Sequence, residues 1–346
     1  MPAVPEDVGI MAVRSSVQGE TRLIERIHRL ARQVLSPSEN VSISFGDDAA
    51  ALVPSSGHTL LISTDALVEG IHFDLDYFRP EDLGWKALAV NLSDIAAMGG
   101  KPLGFTTSLA FPEEKPPSFV TRIYGGMLKL AELSGAALLG GDLCASPKTL
   151  FLDVTILGEV KSEQVRTRKN ARPGDSLFVT GELGASAIGL ELLRRAPRRA
   201  RYYPHLAGRH LRPIPRNRMG CWLAANGFAS ALIDLSDGLS TDLHHLCQAS
   251  RVGAVIEADR IPLPGISPKV GSWVERPLLD YGLNGGEDYE LLFTVPHGSR
   301  HQIPGRLDGL GIHEIGRITD EPGACWLRER GCLRPLASGG FDHFQK

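Results

Sequence analysis

No two cysteines in this sequence are spaced C-x-x-C, and the five present, Cys144, Cys221, Cys247, Cys325 and Cys332, are scattered and odd in number. That argues against a disulfide framework and fits a reducing, cytoplasmic setting. No apolar run approaches the ~20 residues that cross a bilayer, so no membrane association is expected. Neither sign of charge dominates: 37 basic and 40 acidic residues leave a formal net charge of -3, which argues against a general nucleic-acid binder. The common nucleotide signatures are missing as well. There is no G-x-x-x-x-G-K-[ST] loop, since the one Gly-Lys pair, Gly100-Lys101, runs into Pro102. The H-R-D and D-F-G motifs of protein kinases are absent too. Residues 1–18, with two prolines, two acids and no apolar core, are expected to be a flexible tail and not a signal peptide.

What remains is an ordinary globular composition, 42% hydrophobic and 22% charged, in 346 residues. At ~100–200 residues per domain this predicts two domains. The polar segment KNARPGDS, Lys169–Ser176, marks a junction. The expected division is a tail over 1–18, an N-terminal domain over 19–168 and a C-terminal domain over 169–346.

Helical spacing of Leu23, Ile24, Ile27, Leu30, Ala31 and Val34 predicts a helix from about Gly19 to Pro37. Further helices are predicted at Glu81–Met98, Ser118–Ser134, Gly184–Leu193 and Leu239–Ala249. Strands are predicted at His58–Leu67, Leu103–Leu109, Ala136–Leu139, Leu150–Leu157, Leu177–Thr180, Ser230–Asp234, Tyr289–Val295 and His313–Ile318. Gly140-Gly141-Asp142 is expected to close the strand before it. The basic, proline-bearing stretch over 194–218 reads as a long surface connection, with Arg194 to Arg201 solvated. Both halves mix strands and helices, an α/β (α+β) class.

The acids carry the chemistry. They follow apolar strands or sit beside glycine: Asp47-Asp48 in SFGDDAALV, Asp65 in LLISTD, Asp94 in NLSDIAAMGG, Asp142 in LLGGD, Asp234 and Asp237 in LIDLSDG, Glu287 and Asp288 in NGGEDYE. One such Asp is usually a turn former or helix cap. Six motifs of this kind point to a shared purpose, because converging carboxylates repel one another unless a cation binds them. Oxygen donors without Cys or His suit Mg²⁺, which bridges carboxylates to substrate phosphates. The strand, glycine turn and helix of VTGELGASAIGL, Val179–Leu190, offer either backbone N–H groups to a phosphate or simple close packing.

In order along the chain, GDDAAL, STDALVEGIHF, NLSDIAAMGGKP, GGD, RKNARPGD, LIDLSDGLSTDL, GGEDYELLF and GGFDHF resemble the thiamine-monophosphate kinases of the aminoimidazole-ribonucleotide-synthetase-like superfamily. The resemblance runs from about Gly19 to Phe344. It implies a two-domain fold whose N-terminal sheet domain forms a homodimer, with the active site in the interdomain cleft. It implies ATP-dependent phosphorylation of thiamine monophosphate to thiamine diphosphate, the final step of that cofactor's biosynthesis, with several Mg²⁺ ions. By matching motif, Asp48, Ser63, Thr64, Asp65, Asp94, Asp142, Asp234 and Asp237 would be metal ligands. Tyr124, Gly141, Asp142, Arg168 and Ser236 would contact ATP, with Arg166 a rival to Arg168. His72, Glu287 and Phe341 would contact the thiamine phosphate. A lone His such as His72 is otherwise a packed polar residue, and a Phe341 near the terminus otherwise core.

No catalytic general base is expected, because a phosphomonoester oxygen is already ionised near neutrality, its second pKa being ~6. Two alternatives stand beside this reading: another ATP-using member of the superfamily, such as aminoimidazole ribonucleotide synthetase, or a non-catalytic sensor of Mg-nucleotide or thiamine phosphates. Selenophosphate synthetases and hydrogenase-maturation relatives would be expected to carry reactive cysteines where this chain has none, early in the sequence and at its end respectively.

Overall fold

The computed structural model describes residues 8–200 and 202–341. In chain order, helix α1 (Val8–Val34) precedes the short strands β1 (Val41–Ile43) and β2 (Ala51–Leu52), followed by strand β3 (His58–Val68). Next come α2 (Pro80–Ala97), β4 (Lys101–Pro112), α3 (Pro117–Ser134), β5 (Ala137–Ser146) and β6 (Phe151–Lys161). Strand β7 (Ser176–Thr180) leads into four helices, α4 (Ala185–Arg195), α5 (Pro197–Ala200), α6 (Pro204–Leu211) and α7 (Asn217–Ala225). After β8 (Ala231–Asp234), α8 (Leu239–Ser250) and β9 (Gly253–Glu257) come the short helices α9 (Pro268–Gly271) and α10 (Leu278–Asn284). The last strands are β10 (Leu291–Val295), β11 (Arg306–Leu307), β12 (Leu310–Thr319), β13 (Cys325–Glu329) and β14 (Cys332–Pro335).

The chain divides into two compact units, one of Met1–Val53, Asp65–Leu88 and Gly104–Thr155, the other of Pro54–Thr64, Ala89–Leu103 and Ile156–Lys346. A four-stranded sheet has the order β3-β6-β4-β5. An eight-stranded sheet runs β14-β13-β9-β12-β7-β10-β8, with β11 paired to β12. It is antiparallel except where β13 lies parallel to β9.

In the second unit this sheet is covered on both faces, and the strand period of two decides which side chain goes where. Leu177, Val179, Ile233 and Leu292 join Leu243 and Leu246 of α8 in one core. Their neighbours Phe178, Leu232, Leu291 and Phe293 turn the other way, against Met219 and Leu223 of α7 and Ala96 of α2. Burial on both faces explains why these strands read as continuous apolar runs and not as alternating ones. In the first unit α2 and α3 approach closely. A side chain at Gly84 would collide with the Ile123 carbonyl, and one at Gly126 with the Glu81 carbonyl. Glycine is what allows that contact.

Most predicted elements are present with ends moved by a few residues, and three expectations are corrected. Helix α1 begins at Val8 and not near Gly19, so residues 8–18 continue it; residues 1–7 lie outside the described residues. Strand β5 does not stop before Gly140-Gly141-Asp142 but runs through them, pairing Thr107 with Gly141 and Ser108 with Asp142. A side chain at Gly141 would strike the Thr107 carbonyl, so that glycine serves strand contact instead of ending the strand. The stretch 194–218 is not a surface connection: it forms α5 and α6, enters α7, and buries Leu206, Ala207 and His210. Arg194, Arg195 and Arg198 within it are exposed as expected. Among the described residues no helix is long and apolar enough to cross a membrane.

Candidate active site

The second unit gathers its predicted residues around the loop between β8 and α8. Asp234 ends β8, is 4% exposed, and accepts a hydrogen bond from Ser93 Oγ at 2.7 Å. Asp94, the next residue on α2, accepts one from Ser63 Oγ at 2.5 Å. Helix α2 is stopped just beyond, where Gly99 takes the left-handed φ of 73° that favours glycine. Ser63 of β3 therefore fastens Asp94, and Ser93 of α2 fastens Asp234, two of the predicted carboxylate ligands.

The same loop anchors two of the three residues predicted for the acceptor, Glu287 and Phe341. Glu287 donates its backbone N–H to the Ser236 carbonyl at 2.6 Å, and Phe341 donates its own to the Asp237 carbonyl at 3.2 Å. The chain end is held there by further bonds, Gly339 N to Ser240 Oγ at 3.2 Å and Gly340 N to Thr241 Oγ1 at 3.0 Å. Gly340 lies so near the Asp237 carbonyl that a side chain would not fit. Phe341 remains 53% exposed. The neighbouring NGGEDYE segment has left-handed backbone at Gly286, Glu287 and Tyr289, with φ of 68°, 55° and 50°. Of the two arginines in VRTRKN, Arg166 is engaged: its Nη2 donates to the Ala224 carbonyl at 3.0 Å, and burial lowers its pKa. Arg168 is exposed and close enough to His245 to disfavour that ring's protonation.

In the first unit Asp48 is exposed, its N–H bonded to Asp47 Oδ1 at 2.8 Å, next to Gly46 with φ 112°. Asp65 is half-buried within β3 and does not end it, while Thr64 just before it is exposed. His72 accepts the Val68 N–H on Nδ1 at 3.0 Å, which leaves the proton of a neutral ring on Nε2. Gly141 and Asp142 are exposed on β5. Tyr124 is buried, its hydroxyl sharing a 2.6 Å hydrogen bond with Thr107 Oγ1. Burial raises the Tyr124 pKa, and the Asp142 charge raises it further. Its reach toward Gly141 is thus through Thr107.

Asp242 and Glu290 were not singled out from the sequence, and neither was the helix-capping role of Asp288. Asp242 accepts the N–H groups of Asp237 and Gly238, each at 3.1 Å, and so shapes the loop that presents Asp237. With Asp237 and His245 it places three ligand atoms within 4.8 Å of one another. The hydrogen bond to Asp242 raises the His245 pKa. An acid in the first turn of a predicted helix was the available signal. Glu290, fully buried, pairs with Arg216 through one guanidinium edge, Nε to Oε2 at 2.7 Å and Nη2 to Oε1, and accepts from Thr180 Oγ1 at 2.6 Å. Asp288 accepts the N–H groups of Gly184 at 2.7 Å and Ser186 at 3.3 Å, capping α4. The glycine turn before α4 therefore has its N–H groups occupied by a carboxylate, which favours packing over phosphate binding. Burial pushes the Asp288 pKa up to about 7 against the opposing pull of those two N–H groups.

Comparison with known proteins shows the family. The AIR synthase related protein N-terminal domain matches residues 46–160, and the corresponding C-terminal domain matches residues 172–325. The thiamine-monophosphate kinase of Bacillus subtilis is 40% identical over 329 residues, 92% of this chain and 98% of that one. The crystal structure of thiamine-monophosphate kinase from Stenotrophomonas maltophilia is similar with a TM-score of 0.77 and 37% identity, over 90% of this chain and 96% of that one. AaThiL complexed with AMPPCP and TMP is similar with a TM-score of 0.73 and 32% identity, over 99% of this chain and 100% of that one.

Proposed function

This chain belongs to the AIR synthase related family, and from that premise we propose that it transfers the terminal phosphoryl group of ATP to thiamine monophosphate, releasing ADP and thiamine diphosphate. The observation that carries the reading is the pinning of Glu287 and Phe341 to the consecutive carbonyls of Ser236 and Asp237. Two acceptor contacts, an ATP contact and a metal ligand thereby share one loop. Sensing alone would require no such arrangement of acceptor beside phosphate and metal donors.

An oxygen of the acceptor phosphate attacks the terminal phosphorus of ATP. A new phosphorus–oxygen bond forms there, the bond to the bridging oxygen breaks, and ADP leaves with that electron pair. The attacking oxygen is already ionised, so the protein supplies position and charge compensation and no base. Ser236, Arg168 and Gly141 bind ATP, with Tyr124 supporting Gly141 through Thr107. His72 offers its Nε2–H to the acceptor phosphate, Glu287 faces the cationic thiazolium or the aminopyrimidine, and the Phe341 ring covers an aromatic face.

The eight predicted metal ligands, Asp48, Ser63, Thr64, Asp65, Asp94, Asp142, Asp234 and Asp237, are all oxygen donors, a set that fits Mg²⁺. The 2.5 Å approach of Ser63 Oγ to Asp94 sets two of these oxygens side by side. When bound, Mg²⁺ neutralises the repulsion between donor and acceptor phosphates.

The protein works as a homodimer in the cytoplasm on this reading. Leu60 and Ile62 are 45% and 70% exposed on one face of β3 while Leu61 between them is buried, an apolar strand face suited to a second copy. All five cysteines are free, as a reducing compartment allows.

The test is incubation of the pure protein with Mg-ATP and thiamine monophosphate, followed by chromatography. ADP and thiamine diphosphate should form in equal amounts, with free thiamine a poor acceptor. Turnover of free thiamine with none of the monophosphate would overturn the assignment.

A further inference from the structure

The segment once read as a surface connection delivers a buried imidazole to the acceptor residue. His210, in the last turn of α6, is 2% exposed. Its Nδ1 lies 3.1 Å from Glu287 Oε2 and 3.3 Å from Ser186 Oγ. Ser186 is itself fully buried in the first turn of α4. Gly189 of α4 lets α6 come close, since a side chain there would collide with the Leu206 backbone. Glu287 is 28% exposed at its side chain, so a ligand can reach it, yet its backbone is held at φ 55° by the bond to Ser236. A rigid neighbour at the far end of that carboxylate limits the directions it can take. A nine-tenths-buried ring between two helices is such a neighbour.

We propose that His210 is a positioning residue for the acceptor: its Nδ1–H holds the Glu287 carboxylate in the orientation that receives the cationic, nitrogen-rich part of thiamine monophosphate. The inference rests on the reading that Glu287 contacts the acceptor. It adds a residue outside the acidic motifs, on a helix that no motif marks. Ser186 Oγ, 3.3 Å from the same Nδ1, shares that proton from α4 as a second and more distant acceptor.

Steady-state kinetics on five variants of the full-length protein test it. His210→Leu should raise the KM for thiamine monophosphate by about tenfold, the loss of one hydrogen bond to a charged group, while the KM for ATP stays within about twofold. His210→Asn puts an amide N–H near the position of Nδ1 and should restore most of the affinity. His210→Gln carries its amide farther out, near Nε2, and should not. The double variant His210→Leu/Glu287→Gln should be no worse than Glu287→Gln alone, because the ring acts through that carboxylate. If His210→Leu does not fold, the Asn and Gln variants decide, and equal KM values for the two would overturn the proposal. Equal rises in both KM values, tracking a lower melting temperature, would also overturn it by making His210 a packing residue only. If Glu287→Gln itself leaves the acceptor KM unchanged, the reading beneath the proposal fails. If Glu287→Gln raises it while His210→Leu does not, the role of His210 fails alone.

Discussion

Ser93 Oγ donates to Asp234 Oδ2 at 2.7 Å, a bond between residues 141 positions apart that are both buried. It fixes one oxygen of a predicted metal ligand. Ser93→Ala should cost ~1.5–3 kcal/mol of stability, the worth of a hydrogen bond to a charged group. It should also raise the magnesium concentration needed for half-maximal ADP release. Chemical unfolding and a magnesium titration measure the two effects. A stability loss without any change in magnesium demand would make the bond purely structural.

Asp65→Asn and Asp94→Asn each remove charge and keep volume. Turnover should fall by ~100-fold or more in each, since charge compensation is the main service the site provides. Far-ultraviolet circular dichroism should be unchanged. In Asp94→Asn the Ser63 hydroxyl still has an oxygen to bond, so the fold around β3 is spared. Near-normal rates across the magnesium titration would show these carboxylates to be caps.

Arg216→Met should destabilise the protein by ~3–5 kcal/mol, because it strands the buried charge of Glu290. Arg209 Nη1, 3.5 Å from Glu290 Oε1, softens but does not replace the lost pair. Adding Glu290→Gln to that variant should recover part of the loss, as the residual charge is then gone. Urea unfolding of the two single variants and the double variant gives the coupling directly. Simple additivity would argue that the pair is not an energetic unit.

Asp288 gives a pH signature. Its folded pKa of about 7 stands above the unfolded value, ~3.9, so the folded chain holds a proton that the unfolded chain releases. Stability from this group is therefore complete at low pH and declines as pH rises from about 4 through about 7. Asp288→Asn is neutral throughout and keeps a carbonyl oxygen for the Gly184 N–H. Thermal melts from about pH 5 to about pH 8 should show a shallower decline for the variant, converging with the parent at the acid end. Parallel curves would mean that Asp288 titrates normally and that its two N–H partners outweigh burial.

The motifs of the site were legible because they are local. An acid following an apolar strand, or lying beside glycines, is visible in a few residues, and Asp94, Asp234, Asp237 and Glu287 all carry that mark. The strands of the eight-stranded sheet were legible for the same reason, their two buried faces leaving unbroken apolar runs such as Leu291–Val295. Other roles were not. Asp288 and Glu287 are adjacent and alike in sequence, yet one caps a helix that starts 104 residues earlier and the other meets His210. Gly140-Gly141 reads as a strand end because glycine usually punctuates, but Gly141 was there for contact with Thr107.

By itself, the sequence determined the class of fold and the family resemblance, and it led to the proposal of an oxygen-donor site. These follow from periodicity and from residue chemistry, which need no partner to be recognised. Only the tertiary structure decided which charges are buried. Arg216 lies in a basic stretch that reads as a surface connection, yet its side chain is only 10% exposed, held against Glu290, 74 residues later and fully buried. The desolvation of a charge is set by whatever the rest of the chain brings against it, and no local window of sequence contains that information.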